Sequence, residues 1–230
     1  MLRIILSFFG GVFTFLTMSV VAFALTIGAV FWIYGRDLPS HESLAQYKPP
    51  TISRIYSGEG RIVDEFARER RLFTGAKDVP ILIKQAFISA EDKNFYSHPG
   101  YDLRGILSAA VDAARSGGRR VRGASTITQQ VMKNFLLDGS RRAERKIKEI
   151  ILATRIENTL DRERILELYL NEIFLGQNSY GVTAAAQTYF NKTLDELAPH
   201  EAAFLASLPK APSDFHPVRR KQRLLDRRNY

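Results

Sequence analysis

The chain has 230 residues, 45% of them apolar, with 33 Lys and Arg against 24 Asp and Glu for a formal charge of +9. That suits one sizeable globular domain plus an anchor and excludes wholesale disorder. The absence of cysteine excludes structural disulfides, Cys-ligated zinc and thiol nucleophiles, while the positive balance favours anionic partners such as nucleic acid, acidic headgroups or phosphorylated substrates.

Residues 4–35 carry no charge, a run longer than the roughly 20 residues a helix needs to cross a bilayer. Trp32 and Tyr34 stand at its end, where an interfacial aromatic belt is expected. The apolar region of a cleaved signal peptide spans only about 7–15 residues, so 1–35 reads as a retained anchor. Arg3 ahead of the run places the N-terminus in the cytoplasm and the rest outside. Residues 36–50, with Pro39, Pro49 and Pro50, read as a linker. Alternating apolar residues in 52–56 and 61–66 flank Ser57-Gly58-Glu59-Gly60, which predicts a hairpin. After Pro80 the apolar spacing predicts helices over 81–94, 103–115, 126–137, 141–159, 162–174, 182–190 and 200–208.

The 126–137 helix places Thr126, Gln130, Lys133 and Asn134 on one face. A hydroxyl, two amides and an ammonium suit sugar hydroxyls and a diphosphate. The same residues admit a plainer reading, because Thr126-x-x-Gln129 is also a capping box. Phe135-Leu136-Leu137 directly follows, and with Arg141 and Arg142 nearby it is expected to dip into the membrane leaflet. Arg145 and Lys146 precede Glu149 by four and three residues, so all three converge. They form either a phosphate site with an ionised carboxylate or an ordinary salt-bridged helix. Glu91, after the apolar Ala86-Phe87-Ile88 and Ala90, is either a partly desolvated general base or a surface carboxylate at a helix end.

Other patterns carry less. Ser207-Leu208-Pro209-Lys210 matches Ser-x-x-Lys, but Pro209 disfavours the aligning helix and neither Ser-Asp-Asn nor Lys-Thr-Gly occurs. His41, His98, His200 and His216 show no metal-ligand spacing. There is no nucleotide-binding glycine loop and no nucleic-acid module to explain the charge.

Five motifs in order carry a resemblance: Glu91-Asp92-x-x-Phe95-x-x-His98-x-Gly100, the run from Gly123 to Asn134, Arg145-Lys146-x-x-Glu149, Ile165-Leu166-Glu167-x-Tyr169-Leu170-Asn171, and Tyr180-Gly181 through Lys192. With these the chain resembles the peptidoglycan glycosyltransferases, which form the N-terminal half of class A penicillin-binding proteins or stand alone. The resemblance implies a mainly α, lysozyme-like fold with a membrane-embedded face, a small N-terminal β-hairpin and one transmembrane helix. It implies polymerisation of lipid II into β-1,4-linked glycan strands with release of undecaprenyl diphosphate. Glu91 matches the base for the acceptor hydroxyl and Glu149 the glutamate at the donor diphosphate. Lys133, Arg145 and Lys146 match phosphate-handling positions. Asp92, Phe95, His98, Thr126, Gln130 and Asn134 match residues shaping the cleft, with Ser125, Gln129, Tyr169 and Asn171 as further candidates for substrate binding.

The resemblance also implies lipid II, the lipid-linked strand, the membrane and cell-wall synthesis proteins as partners, and no nucleic acid. It implies a single-pass protein of the inner membrane with a periplasmic catalytic domain, and a divalent cation such as Mg at the diphosphate as the one cofactor to consider. The expected divisions are anchor 1–35, linker 36–50, catalytic domain 51–218 and a basic segment 219–230 that looks helical and begins a connection onward. Residues 47–50, 54–56 and 208–212 look more like the bifunctional class. Two departures stand out: Gly176-Gln177-Asn178-Ser179 lacks the Arg often found before Tyr-Gly, and Asn191 replaces a common Gly, altering only a turn. A peptidoglycan-cleaving lytic enzyme of similar fold and a non-enzymatic membrane scaffold are the competing readings.

Overall fold

A computed structural model describes residues 2–36, 38, 44, 47, 53–66, 70–117, 123–137, 142–210 and 220–229. Helix α1 (Leu2–Gly35) leads. Its stretch Ser7–Gly35 has a mean hydropathy of 2.1 and none of it is buried. At 1.5 Å per residue it spans about 44 Å, more than the ~30 Å hydrocarbon core of a bilayer. Among the described residues it is the one helix long and apolar enough to cross a membrane. Near its end the Arg36 guanidinium lies 4.3 Å over the Trp32 ring.

Strands β1 (Ser53–Tyr56) and β2 (Ile62–Phe66) pair antiparallel, forming the expected hairpin with an irregularity at Ile55/Tyr56. A second pairing had no signal in the sequence: β3 (Arg70–Arg71) runs parallel to β4 (Ser179–Tyr180), more than 100 residues later. Two-residue strands have no periodicity to read.

The remainder is helical. Helices α2 (Ile81–Glu91), α3 (Leu103–Arg115), α4 (Ile127–Leu136), α5 (Arg142–Glu157) and α6 (Arg162–Glu172) precede α7 (Val182–Phe190), α8 (Pro199–Ser207) and α9 (Lys221–Arg228). Helix α2 ends three residues before the expected 94, because Asp92 leaves the helix at φ −155°, ψ 76°. Helix α7 closes on Asn191 in the left-handed region (φ 52°, ψ 42°), a conformation Asn tolerates where Gly is the usual choice. The α9 segment is helical as expected and seats Leu224 in the core.

Helix α4 lies against both α5 and α6, while α2 packs on α8. Ile83, Phe87, Phe95, Ile127, Met132, Leu152, Ile156, Ile165 and Tyr169 are buried where these elements meet. Each such side chain contributes about 1.5–3 kcal/mol through burial.

The end of α4 corrects one expectation. Phe135 sets its ring edge-on to Tyr47 at 4.7 Å, Leu136 packs against the core and Leu137 is buried. This segment belongs to the core and not to a membrane-facing surface. An apolar run reads the same in sequence whether protein or lipid covers it. Beyond α1, an exposed apolar stripe lies on α3, where Leu103 and Leu107 are each 59% exposed and Val111 46%. Four-residue spacing stacks them on one face.

Candidate active site

Helix α2 delivers Glu91 as its last residue. The Asp92 carboxylate then turns inward and accepts from the first backbone N–H of α4, at Ile127, at 2.9 Å. An anion at a helix N-terminus satisfies an otherwise unpaired donor and meets the positive end of the helix dipole. His98 supports the same carboxylate through Nε2 at 2.9 Å. Its Nδ1 accepts from Gly100 N at 3.1 Å, so the proton resides on Nε2 and points at Asp92. Gly100 sits at φ +91°, and a Cβ there would lie 2.6 Å from the Ala153 carbonyl oxygen of α5. Thr126 donates to Gly100 O at 2.7 Å and accepts from Gln129 N at 3.1 Å. Gln129 Oε1 in turn accepts from Thr126 N at 3.3 Å, completing the capping box anticipated from the sequence.

With α4 fixed by these contacts, its adjacent glutamines diverge. Consecutive residues on a helix point about 100° apart. Gln130 Nε2 donates to Glu91 Oε2 at 3.0 Å. Gln129 Oε1 accepts from Lys146 Nζ at 2.9 Å, and Lys146 in turn meets Glu149 Oε2 at 3.1 Å and Ser125 Oγ at 2.8 Å. Arg145 Nε lies 3.4 Å from the other Glu149 oxygen. Glu91 is half-buried and Glu149 is 5% exposed. The two carboxylates therefore flank one polar helix, Glu91 bonded directly to Gln130 and Glu149 linked to Gln129 through Lys146.

The remaining candidates divide by exposure. Lys133 and Asn134 are exposed one turn beyond the glutamines, and Lys133 forms no ion pair among the described residues. Asp92, Phe95, His98, Thr126 and Gln129 are buried behind the carboxylates. Tyr169 and Asn171 are likewise buried, in α6. The Tyr169 ring meets Phe87 edge-on at 6.2 Å. Burial, then the negative charge of Glu91 and Asp92, raises its hydroxyl pKa well above the usual range. Asn171 spends its amide on the backbone, accepting from Thr74 N at 2.8 Å and donating to Thr74 O at 2.9 Å and Glu167 O at 2.8 Å.

Sequence reasoning missed four residues that support this assembly. Thr128 Oγ1 donates to Glu157 Oε1 at 2.6 Å, and Glu157 Oε2 lies 3.3 Å from Arg162. These residues sit on α4, α5 and α6, so no helical spacing links them. Arg155 of α5 donates to the Gly35 carbonyl at the end of α1 at 3.1 Å, joining the Glu149 helix to the membrane-length helix.

Paired carboxylates around a polar, cation-bearing helix are the kind of arrangement that two-acid chemistry at a glycosidic centre uses. The chain belongs to the transglycosylase family, whose profile matches residues 59–230. It is 48% identical to penicillin-binding protein 1A of Rickettsia felis over 223 residues, covering 94% of this chain and 28% of that protein. Against penicillin-binding protein 1A of Neisseria meningitidis serogroup B the identity is 43% over 228 residues, covering 99% and 28%. The chain thus spans a little over a quarter of the length of these curated relatives. The crystal structure of penicillin-binding protein 1A from Haemophilus influenzae is 30% identical, covers 80% of this chain and 18% of that one, and superposes with a TM-score of 0.40.

Proposed function

We propose that the chain polymerises lipid II, joining its disaccharide units into β-1,4-linked glycan and releasing undecaprenyl diphosphate. The observation that carries this reading is the divergence of Gln129 and Gln130, which holds Glu91 and Glu149 on separate sides of α4 in different electrostatic settings. Glu91, oriented by Gln130, takes the proton from the acceptor sugar hydroxyl as that oxygen attacks the donor's anomeric carbon. The bond from that carbon to the diphosphate breaks, and negative charge grows on the leaving oxygen. Fixed cations stabilise such charge at little reorganisation cost. Lys133 and Arg145 suit that task, since Lys146 Nζ already has three protein acceptors. Glu149 holds Arg145 and Lys146 in place.

A Mg ion would supply further charge neutralisation. Both Glu149 oxygens already face protein cations, and the described residues contain no cluster of three metal-binding side chains. The donor set therefore fits an ion carried by the diphosphate better than one caged by protein. The apolar α1 fits a single-pass membrane protein. We place its N-terminus in the cytoplasm and the catalytic domain outside, with the α3 stripe as the membrane-embedded face. The 51–218 division serves as the catalytic domain.

The test is Glu91→Gln. An amide keeps the shape but cannot accept the proton, so polymerisation of lipid II should fall about 10²–10⁴-fold. A folded Glu91→Gln protein with near-normal turnover would overturn the base assignment.

A further inference from the structure

The loop from Asp92 to Gly100 places Glu91 and caps α4, yet it contains no strand and no helix, only a run of turns and bends. Such a loop holds its shape only if its backbone polar groups find partners. Two of its carbonyls find the same one. The Arg162 guanidinium donates from Nη1 to Phe95 O and from Nη2 to His98 O. Its cationic carbon also lies 5.8 Å from the centre of the Phe95 ring.

Arg162 is itself held. Its Nη2 lies 3.3 Å from Glu157 Oε2, on a carboxylate side chain only 7% exposed. The other Glu157 oxygen accepts from Thr128 Oγ1 at 2.6 Å, and Thr128 is fully buried in the first turn of α4. One ion pair thus joins four segments: the loop, the start of α4, the end of α5 and the start of α6. A fork of fixed N–H donors suits bridging two carbonyls and a carboxylate, which a single ammonium cannot reproduce.

We propose that Glu157 and Arg162 are positioning residues for Glu91, rather than stabilisers of the fold alone. The path is short and each link is a contact. Arg162 holds His98 O, His98 Nε2 holds Asp92, and Asp92 follows Glu91 and caps α4, whose Gln130 meets the Glu91 carboxylate. A displacement of the loop therefore moves the base relative to Gln130. Misplacement of a reacting group by about 1 Å can cost 10²-fold in rate. Neither residue touches substrate in this scheme, so the loss belongs in turnover and not in affinity. The inference rests on Glu91 as the base.

The experiment uses the full chain in detergent with lipid II, scoring kcat and KM per folded molecule by thermal melting and circular dichroism. Arg162→Gln should lower kcat about 10–100-fold with KM within about twofold. Arg162→Lys should recover part of that loss, because an ammonium still reaches one carbonyl. Thr128→Val preserves volume and removes only the hydroxyl link. It should lower kcat less, about 3–10-fold, and it decides the matter together with Arg162→Lys if Arg162→Gln does not fold. The double change Glu157→Gln with Arg162→Gln should be no worse than the weaker single variant, since residues that act as a unit are non-additive. Unchanged kcat per folded molecule, a loss confined to KM, or multiplying losses in the double variant would each overturn the positioning role. Glu91→Gln runs alongside. If it retains turnover, the base assignment fails, whereas loss in Glu91→Gln with none in the Arg162 variants rejects this inference alone.

Discussion

Replacing Lys146 by Met distinguishes a cation that belongs to the scaffold from one held in reserve for phosphate. Its ammonium gives three hydrogen bonds, to Ser125, Gln129 and Glu149, at 2.8–3.1 Å. Met keeps the stem and removes the charge, leaving a carboxylate with a 6% exposed side chain and, among the described residues, Arg145 as its remaining cation, at 3.4 Å. Breaking one side of a buried ion pair costs about 3–5 kcal/mol, and a hydrogen bond to a charged group contributes about 1.5–3 kcal/mol. Two features lower the cost here. The Lys146 side chain is 39% exposed and partly screened by water, and Arg145 remains. The expected loss is therefore about 2 kcal/mol, which in a domain of this size lowers Tm by about 4–8 °C. Thermal melting of the full chain in detergent, with no substrate present, measures it. Lys133→Met is the internal reference, because Lys133 is exposed and a surface change of that kind stays within about 0.5 kcal/mol. If the two variants melt together, Lys146 does not hold Glu149 in place, and the division of labour between Lys146 and the other cations is wrong.

Three further outcomes are expected. Gly100→Ala should destabilise by at least about 1–3 kcal/mol, the range for a residue forced into a disfavoured backbone region, because its Cβ also meets the Ala153 carbonyl at 2.6 Å. Chemical denaturation of the variant would show it. The Asp102 carboxyl is held below its usual range, first by the Gly105 N–H and then by the Asn94 amide. A depressed folded-state value means the stabilisation is complete above the ordinary Asp range and lost as pH falls through the folded value. Asp102→Ala should therefore cost about 0.5–2 kcal/mol near neutral pH, and melts near pH 3 should show a smaller gap. Leu107→Ser with Val111→Ser should weaken binding of an anchorless domain to vesicles while changing stability by less than about 0.5 kcal/mol. Phe135→Ser should do the reverse, lowering Tm with little effect on partitioning.

The carboxylates, the cations around Glu149 and the polar face of α4 were legible because each lies within one helical segment or one short motif. The capping box was legible for the same reason, since Thr126 and Gln129 are three residues apart. What their side chains do was less legible. Gln129 and Gln130 are equivalent in composition, yet α5 claims the first and the end of α2 the second. Lys146 matches a phosphate-handling position, but three acceptors from α4, its approach and α5 surround it. The Glu157–Arg162 pair left no trace, because its partners come from elements whose relative placement only packing decides. Phe135-Leu136-Leu137 misled for a related reason. Hydropathy records that an apolar run will be covered, and Tyr47, more than 80 residues earlier, is what covers Phe135.

Helix α5 links the Glu149 site to the membrane-length helix α1. It carries Glu149 and, six residues on, Arg155, whose guanidinium holds the last carbonyl of α1. At 1.5 Å per residue these positions are separated by about 9 Å along the helix axis. Whatever the tilt of α5, the two backbone positions cannot differ in depth by much more than that. Trp32 and Arg36 mark the interfacial end of α1. The polar layer on each side of a bilayer is about 5–8 Å thick, the difference between a ~30 Å core and a total of about 40–45 Å. On the proposed single-pass reading, Arg155 thus ties the Glu149 helix to the interfacial end of α1. The diphosphate of a polyprenyl-linked substrate, with its tail in the hydrocarbon, occupies that polar layer. On the proposed reading, a substrate held in the bilayer by such a tail meets this helix at a raised local concentration, which a soluble diphosphate sugar without the tail does not have.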